Sequence, residues 1–242
     1  MIGSAWFRMI VAAVLTTLLV ACSGASDGSA AGLSATDQKQ ATELLRSYEL
    51  ARKESNWQAA EAYADKLQHK FPDSMAASTA ASSIAQVREH ADQQREHKRL
   101  LALWDYQAIA VGKGVQRSAA IQSRTVAVEE GEPLPSPDAQ LVLRDHPSWG
   151  RSAYLLLAQS RFNCGTPCAM KISFDGGAAQ RFAGKPADSG KGPALFIEDK
   201  ERFISALAAA RQVRIELPKG SGTIPALVFE VAGYQPERFE KP

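Results

Sequence analysis

Reactive side chains are scarce in this chain. Its 242 residues include three cysteines and four histidines, which leaves little material for a metal centre. Neither sign of charge dominates: 28 lysines and arginines face 26 acids, for a formal net charge of +2. No basic block stands out, so the concentrated positive face that nucleic-acid binding needs is missing. Aromatic residues make up 7% of the chain and are scattered along it. No apolar run reaches the roughly 20 residues that a helix needs to cross a bilayer. Ser148, beside Asp145-His146, is not set in a Gly-x-Ser-x-Gly nucleophile elbow. A phosphate-loop reading of Gly184–Gly192 also fails, because Lys185 stands where the leading glycine belongs and Gly192 follows Lys191. That stretch reads as a surface loop. Taken together, these absences leave no catalytic, metal-binding or cofactor-binding residue to assign, and they point to a protein that is not an enzyme.

What is present begins at the amino end. Met1–Arg8 is short and carries one positive charge, and Met9–Leu19 is an apolar run too short to span a membrane. It leads into Leu19-Val20-Ala21-Cys22, which resembles the lipobox of bacterial lipoproteins. The resemblance implies cleavage before Cys22, leaving residues 1–21 as signal peptide, and acylation of the Cys22 thiol. Each buried CH₂ contributes roughly 0.8 kcal/mol to anchoring. Removing residues 1–21 takes away Arg8 alone, so the mature formal charge is +2 − 1 = +1. Ser23 follows the cysteine, where an aspartate would imply inner-membrane retention. By that resemblance the expected address is the outer membrane, facing the periplasm, with the inner membrane or the cell surface as alternatives. Residues 22–35 are mostly Gly, Ala and Ser and cannot bury enough apolar surface to fold alone. They read as a flexible tether reaching on the order of 20 Å.

From 36 to 103 the apolar period is helical. Leu44, Tyr48 and Ala51 make one stripe, and Ala60, Tyr63, Ala64, Leu67 and Phe71 make a second, after a break at Ser55-Asn56. Pro72-Asp73-Ser74 ends that helix and offers an N-cap to a third, which carries Ala76, Ala80, Ile84, Val87 and Ala91. Its later turns, His90–Arg99, read as solvated. Asn56-Trp57-Gln58-Ala59-Ala60 with the downstream Pro72 is similar to the second half of a tetratricopeptide unit. Tyr48 departs from that pattern, which has glycine there, and no second repeat follows. The resemblance therefore implies one TPR-like unit, with a plain helical hairpin as the alternative.

Residues 104–242 change texture. Short apolar or alternating runs recur at Tyr106–Val111, Ala119–Thr125, Leu141–Leu143, Ala153–Ala158, Ala169–Phe174, Ala194–Ile197, Val213–Leu217 and Ala226–Val231. Gly112-Lys113-Gly114, Pro133–Pro137, Asp175-Gly176-Gly177 and Lys219–Gly222 separate them. The spacing predicts an antiparallel β-sandwich or barrel interrupted by one helix over Asp199–Arg211 with Asp199 as its cap. The expected class is α+β, with the helical segment running into the first strand without a linker and the two parts packed together. Phe174-Asp175-Gly176, the Phe203–Leu207 stretch and Val228–Gly233 resemble the β domains of invasion-associated-protein-B and VasI-type secretion accessory proteins. That resemblance carries over no catalytic residues.

Cys164 and Cys168 are the pair that could carry chemistry. In an exported protein two nearby thiols usually join, so a structural disulfide in a hairpin connection is the leading expectation. The alternatives are thiol redox or metal handling at the same pair. Redox work favours Cys-x-x-Cys at a helix N-terminus, whereas the spacing here is longer and the flanks read as strands. Asp145-His146 near Ser148 reads as a turn and not as a triad. His90 and His97, beside Glu89 and Glu96, read as a solvated face. Trp57, Trp104 and Trp149 are assigned to packing by default, with Trp104 as a plug between the two parts. The functional expectation is a non-enzymatic, lipid-anchored binding or scaffold module for an envelope protein. A secretion or envelope-assembly accessory is the other possibility.

Overall fold

The structure is a computed structural model and describes residues 33–124, 139–157, 162, 164–187, 193–218 and 226–239. The lipobox, Cys22 and the tether up to Gly32 lie outside the described residues, as do Pro133–Pro137 and Lys219–Gly222.

Three helices come first: α1 (Ala35–Lys53), α2 (Trp57–Lys70) and α3 (Met75–Ala102). Their boundaries follow from local chemistry. Ser34, Asn56 and Ser74 each turn a side-chain oxygen onto a free amide of the first turn, at Asp37, Ala59 and Ala77 respectively. Ser55, at φ 55°, makes the break between α1 and α2. The stripes read from the sequence build one cluster, largely alanine, with Tyr48, Leu67, Phe71, Ile84 and Val87 buried and Leu44 and Tyr63 partly buried against it. Tyr48 explains its departure from the tetratricopeptide pattern. It is buried, and its hydroxyl shares a 2.7 Å hydrogen bond with the Ser83 hydroxyl of α3. In the later turns of α3 the residues between Ala91 and Leu100 are exposed or half-buried, as their charge led one to expect, while Ala91 continues the buried stripe.

Leu103 alone separates α3 from the sheet. The strands are β1 (Trp104–Val111), β2 (Gly114–Gln122), β3 (Ala139–His146), β4 (Gly150–Leu157), β5 (Cys168–Phe174), β6 (Gln180–Pro186), β7 (Ala194–Ile197), β8 (Gln212–Glu216) and β9 (Leu227–Glu230). Two helices accompany them, α4 (Lys200–Ala209) and the short α5 (Pro236–Phe239). All pairings are antiparallel in the order β1-β2-β3-β4-β7-β6-β5-β8-β9. The sheet rolls round until the chain leaving β2 meets β9, where the Arg124 amide donates to the Val228 carbonyl at 2.7 Å. One continuous core fills the inside, including Leu141, Leu155, Ile172, Phe182, Phe203 and Phe229.

Four expectations are corrected. Strand β6 was not read from the sequence, because Gln180-Arg181-Phe182-Ala183-Gly184-Lys185-Pro186 hides its two inward positions, Phe182 and Gly184, among polar residues and breakers. Gly184–Pro186 are therefore strand and not loop; residues 188–192 lie outside the described residues. Asp199 occupies the N-cap of α4 but makes no cap bond, its carboxylate pairing instead with Arg202 at 2.9 Å. His146 ends β3 and does not sit in the turn. Trp104 belongs to the barrel core, where it meets Tyr234 at 5.0 Å between ring centres, and is not a plug between the two units.

The units join elsewhere. Gly233 lies against the end of α3 so closely that a Cβ there would fall 2.1 Å from the Leu100 carbonyl oxygen. Beside it, the Arg99 guanidinium donates to both Glu230 oxygens at 3.0 and 3.1 Å, and Arg124 reaches the same carboxylate at 2.7 Å.

Candidate binding surface

Cys164 and Cys168 lie at disulfide distance, with their Cα atoms 5.3 Å apart. Cys168 opens β5 opposite Gly184 and is fully buried in the barrel core, while Cys164 packs against that core from the connection. Thiol–disulfide exchange needs an attacking thiolate to reach a sulfur along the S–S axis. Burial of one sulfur obstructs that approach.

His146 and Asp145 cannot form a relay. Successive strand residues point to opposite faces, and Asp145 shares the inward side of β3 with Leu141 and Leu143 while His146 faces out. The His146 Nδ1 instead accepts from the Ser148 amide at 3.1 Å, which tightens the turn into β4. On α3, His90 stacks on Trp57 at 4.4 Å and sits within reach of Gln93. His97 lines a shallow hollow with Asp92, Glu96 and Arg211. Among the described residues no group of three or more His, Cys, Asp or Glu side chains is gathered for a metal.

The residue that the packing default missed is Trp149. It lies at the tip of the β3–β4 hairpin, 71% exposed, yet its indole stacks on the His146 ring at 3.8 Å. The Arg144 guanidinium lies 5.4 Å from the Trp149 ring centre and 5.5 Å from that of Tyr154. Tyr154 leans on Phe196 of β7 at 5.0 Å. Period-2 alternation in β3 and β4 and their register place these groups together. Arg144 and His146 are two apart on the outer face, and Tyr154 is opposite Val142 on one side and Phe196 on the other. The Nε of Arg144 and the Oγ of its cross-strand neighbour Ser152 are both buried without a hydrogen-bond partner among the described residues. Burial raises the Tyr154 phenol above its ordinary value, opposed by the nearby Arg144 charge. The signal for this site was visible in Arg144, His146, Trp149 and Tyr154 as a run of large polar-tipped side chains around Pro147–Gly150. Reading it required knowing that the turn projects.

Chemically this face offers an exposed indole, a guanidinium beside two rings, and a phenol. Such a guanidinium has few ways to rotate and keeps its donors pre-aimed.

A second concavity lies at the start of the helical unit. A groove of about 690 Å³ between the first turns of α1 and α3 is lined by Leu33, Ala41, Thr42, Ser74 and Met75, with Met75 86% exposed. No helix among the described residues is long and apolar enough to cross a membrane.

No family model matches this chain, and no curated protein does. Among solved structures it is similar to invasion associated protein B from Bartonella henselae, at 13% identity and a TM-score of 0.35, covering 54% of this chain and 84% of that one. A likeness at that level carries no functional argument.

Proposed function

We propose that this chain is a non-enzymatic binding or scaffold protein of the cell envelope, held to a membrane by lipid on Cys22 and facing the periplasm. In this reading the outer membrane is the anchoring bilayer, Cys164–Cys168 is a structural staple, and the partner is another envelope protein. Trp149 carries the reading. Interfaces take most of their energy from a few Trp, Tyr and Arg side chains that are rigid before binding. Here an exposed tryptophan is braced by His146 and Arg144 with Tyr154 beside it.

The test is crosslinking in intact cells with quantification of the recovered partner. Trp149→Ala and Arg144→Ala should each reduce recovery about tenfold or more, the size of effect expected from truncating a hot-spot residue. Exposed Leu50→Ala on α1 should leave it unchanged. Equal recovery from all three variants would sink the proposal. A thiol-based function predicts a different pattern, in which a Cys164→Ser, Cys168→Ser chain loses activity while Trp149→Ala keeps it. A secretion or envelope-assembly accessory is distinguished by the identity of the recovered protein. Mass spectrometry of the purified mature chain tests the anchor, with diacylglyceryl mass on Cys22 as the expected result.

A further inference from the structure

Arg144 is a donor for which the described residues supply no acceptor. Outward positions on β2, β3, β4 and β7 alternate with core positions, and none of them holds a carboxylate. In register Arg144 lies between Ser118 of β2 and Ser152 of β4. Asp105, outward on β1, is two strands away and already accepts from the Gln107 side-chain amide at 2.8 Å. The guanidinium therefore has the rings of Trp149 and Tyr154 beside it and, among the described residues, no hydrogen bond or ion pair. By contrast Arg151 of β4 reaches Glu201 at 3.9 Å, and Arg202 reaches Asp199 at 2.9 Å.

The direction of approach follows from which nitrogens are covered. The Arg144 Nε is buried, so the side-on fork that it would make with one terminal nitrogen is closed. The two terminal nitrogens are not buried, and they present the end-on fork that matches the two oxygens of a carboxylate. Charge narrows the ligand further. The His146 Nδ1 accepts from the Ser148 amide at 3.1 Å, and a ring nitrogen that accepts carries no proton, so His146 adds no charge. The cluster of Arg144, His146, Trp149 and Tyr154 holds one positive charge, which a single carboxylate neutralises and a phosphate dianion exceeds. Trp149, stacked on His146 at 3.8 Å yet largely exposed, sets apolar surface beside that charge.

We infer that this face takes an acidic segment of the partner protein, whose Asp or Glu carboxylate meets the Arg144 terminal nitrogens end-on while an apolar neighbour of that residue lies on Trp149. The inference rests on the reading of the Trp149 face as the docking surface, and it names the chemistry that docks there. Charge complementarity selects the occupant: the face offers one cation, no carboxylate of its own, and ring surface around the fork. A basic segment would meet Arg144 as a like charge. A neutral one would cover the guanidinium without replacing the water it loses.

Photocrosslinking in intact cells tests this, with p-benzoylphenylalanine in place of Ser148, which is exposed at the hairpin tip beside Trp149. Peptide mass spectrometry then locates the attachment point on the partner, which is expected within a few residues of an Asp or Glu. Arg144→Glu should lower the crosslink yield about thirtyfold or more, since a like-charge pair replaces a charge-assisted fork. Changing the partner's carboxylate to arginine should lower it as much with the native chain and should restore most of it with the Arg144→Glu chain. Arg144→Gln keeps the length and removes the charge; its yield should fall about tenfold and no longer respond to loss of the partner's carboxylate. Attachment to a segment without a carboxylate, to a glycan or to a lipid would overturn the acidic partner and leave the docking surface standing. So would an Arg144→Gln chain that still responds to the partner's charge, or a folded Arg144→Glu chain that the exchange does not rescue. A yield no higher than with the same group at exposed Leu50 would remove the docking surface itself, and this inference with it.

Discussion

The helical unit and the barrel bury their residues by opposite means. The helical core is mostly alanine: Ala60, Ala64, Ala80 and their neighbours let α1, α2 and α3 approach closely, and Tyr48, Leu67, Phe71, Ile84 and Val87 supply its larger side chains. The barrel core is built from large side chains, with Phe203, Phe229 and Phe239 fully buried among leucines and isoleucines. A core of small residues is held by closeness and is damaged by adding atoms. A core of large residues is held by buried area and is damaged by removing them. The helical unit also relies on its surface, where Arg88–Asp65 and Arg95–Glu61 link α3 to α2. Exposed pairs of that kind add little each.

Phe203→Ala should cost the most, about 3–5 kcal/mol, because its ring meets both Phe174 and Phe182 across the core. Urea denaturation would show it in the barrel transition, and a loss below about 1 kcal/mol would mean the barrel core is not organised around α4. Enlarging the helical core with Ala80→Leu should cost about 1–3 kcal/mol, since Ala80 is fully buried. A neutral or stabilising result would erase the distinction between the two cores. Tyr48→Phe, which removes the hydroxyl bonded to Ser83 and keeps the ring, should cost about 1 kcal/mol. Thermal unfolding followed in the helical signal checks it.

The smallest effect is a pH response in the barrel. Burial holds the Tyr154 phenol above its ordinary value. In the unfolded chain it ionises near 10. Above that pH the unfolded state loses its proton first, so the stability present at lower pH is lost as pH rises through the folded-state value. Ultraviolet titration should show two tyrosines ionising late, Tyr154 and Tyr106, since burial raises both phenols. Arg144→Ala should move Tyr154 alone higher still, because the guanidinium charge favours its phenolate. A shift downward in that variant would contradict the Arg144–Tyr154 contact.

Joining the two cores is a contact with no counterpart in either. Gly233 meets the Leu100 carbonyl where no side chain fits, and Arg99 brackets Glu230. The expectation that the two parts pack together came from the missing linker after α3. The means by which they do so, a bare turn pressed on a helix end, was not visible, since one glycine among 17 carries no sign of what approaches it.

Legibility of the fold varied in the same way. The helical stripes were readable because every buried position in them is apolar and the caps are Ser or Asn. Strand β6 was not, because inward Gly184 and terminal Pro186 mimic a turn. The outer face around Trp149 was the least readable part. Trp149 looks like any other tryptophan in the sequence, and only a projecting β3–β4 turn distinguishes an exposed anchor from a buried filler.

By itself the order of residues determined the class and the division into helices and strands, because periods of 3.6 and 2 and side-chain caps are local properties of the chain. It also marked Cys164 and Cys168 as partners by their nearness. Tertiary structure decided which strand lies at the edge of the sheet, which tryptophan meets solvent, and where the helical unit rests on the barrel. Those outcomes depend on how the sheet rolls and closes, and closure is set by contacts between Arg124 and Val228 that lie far apart along the chain.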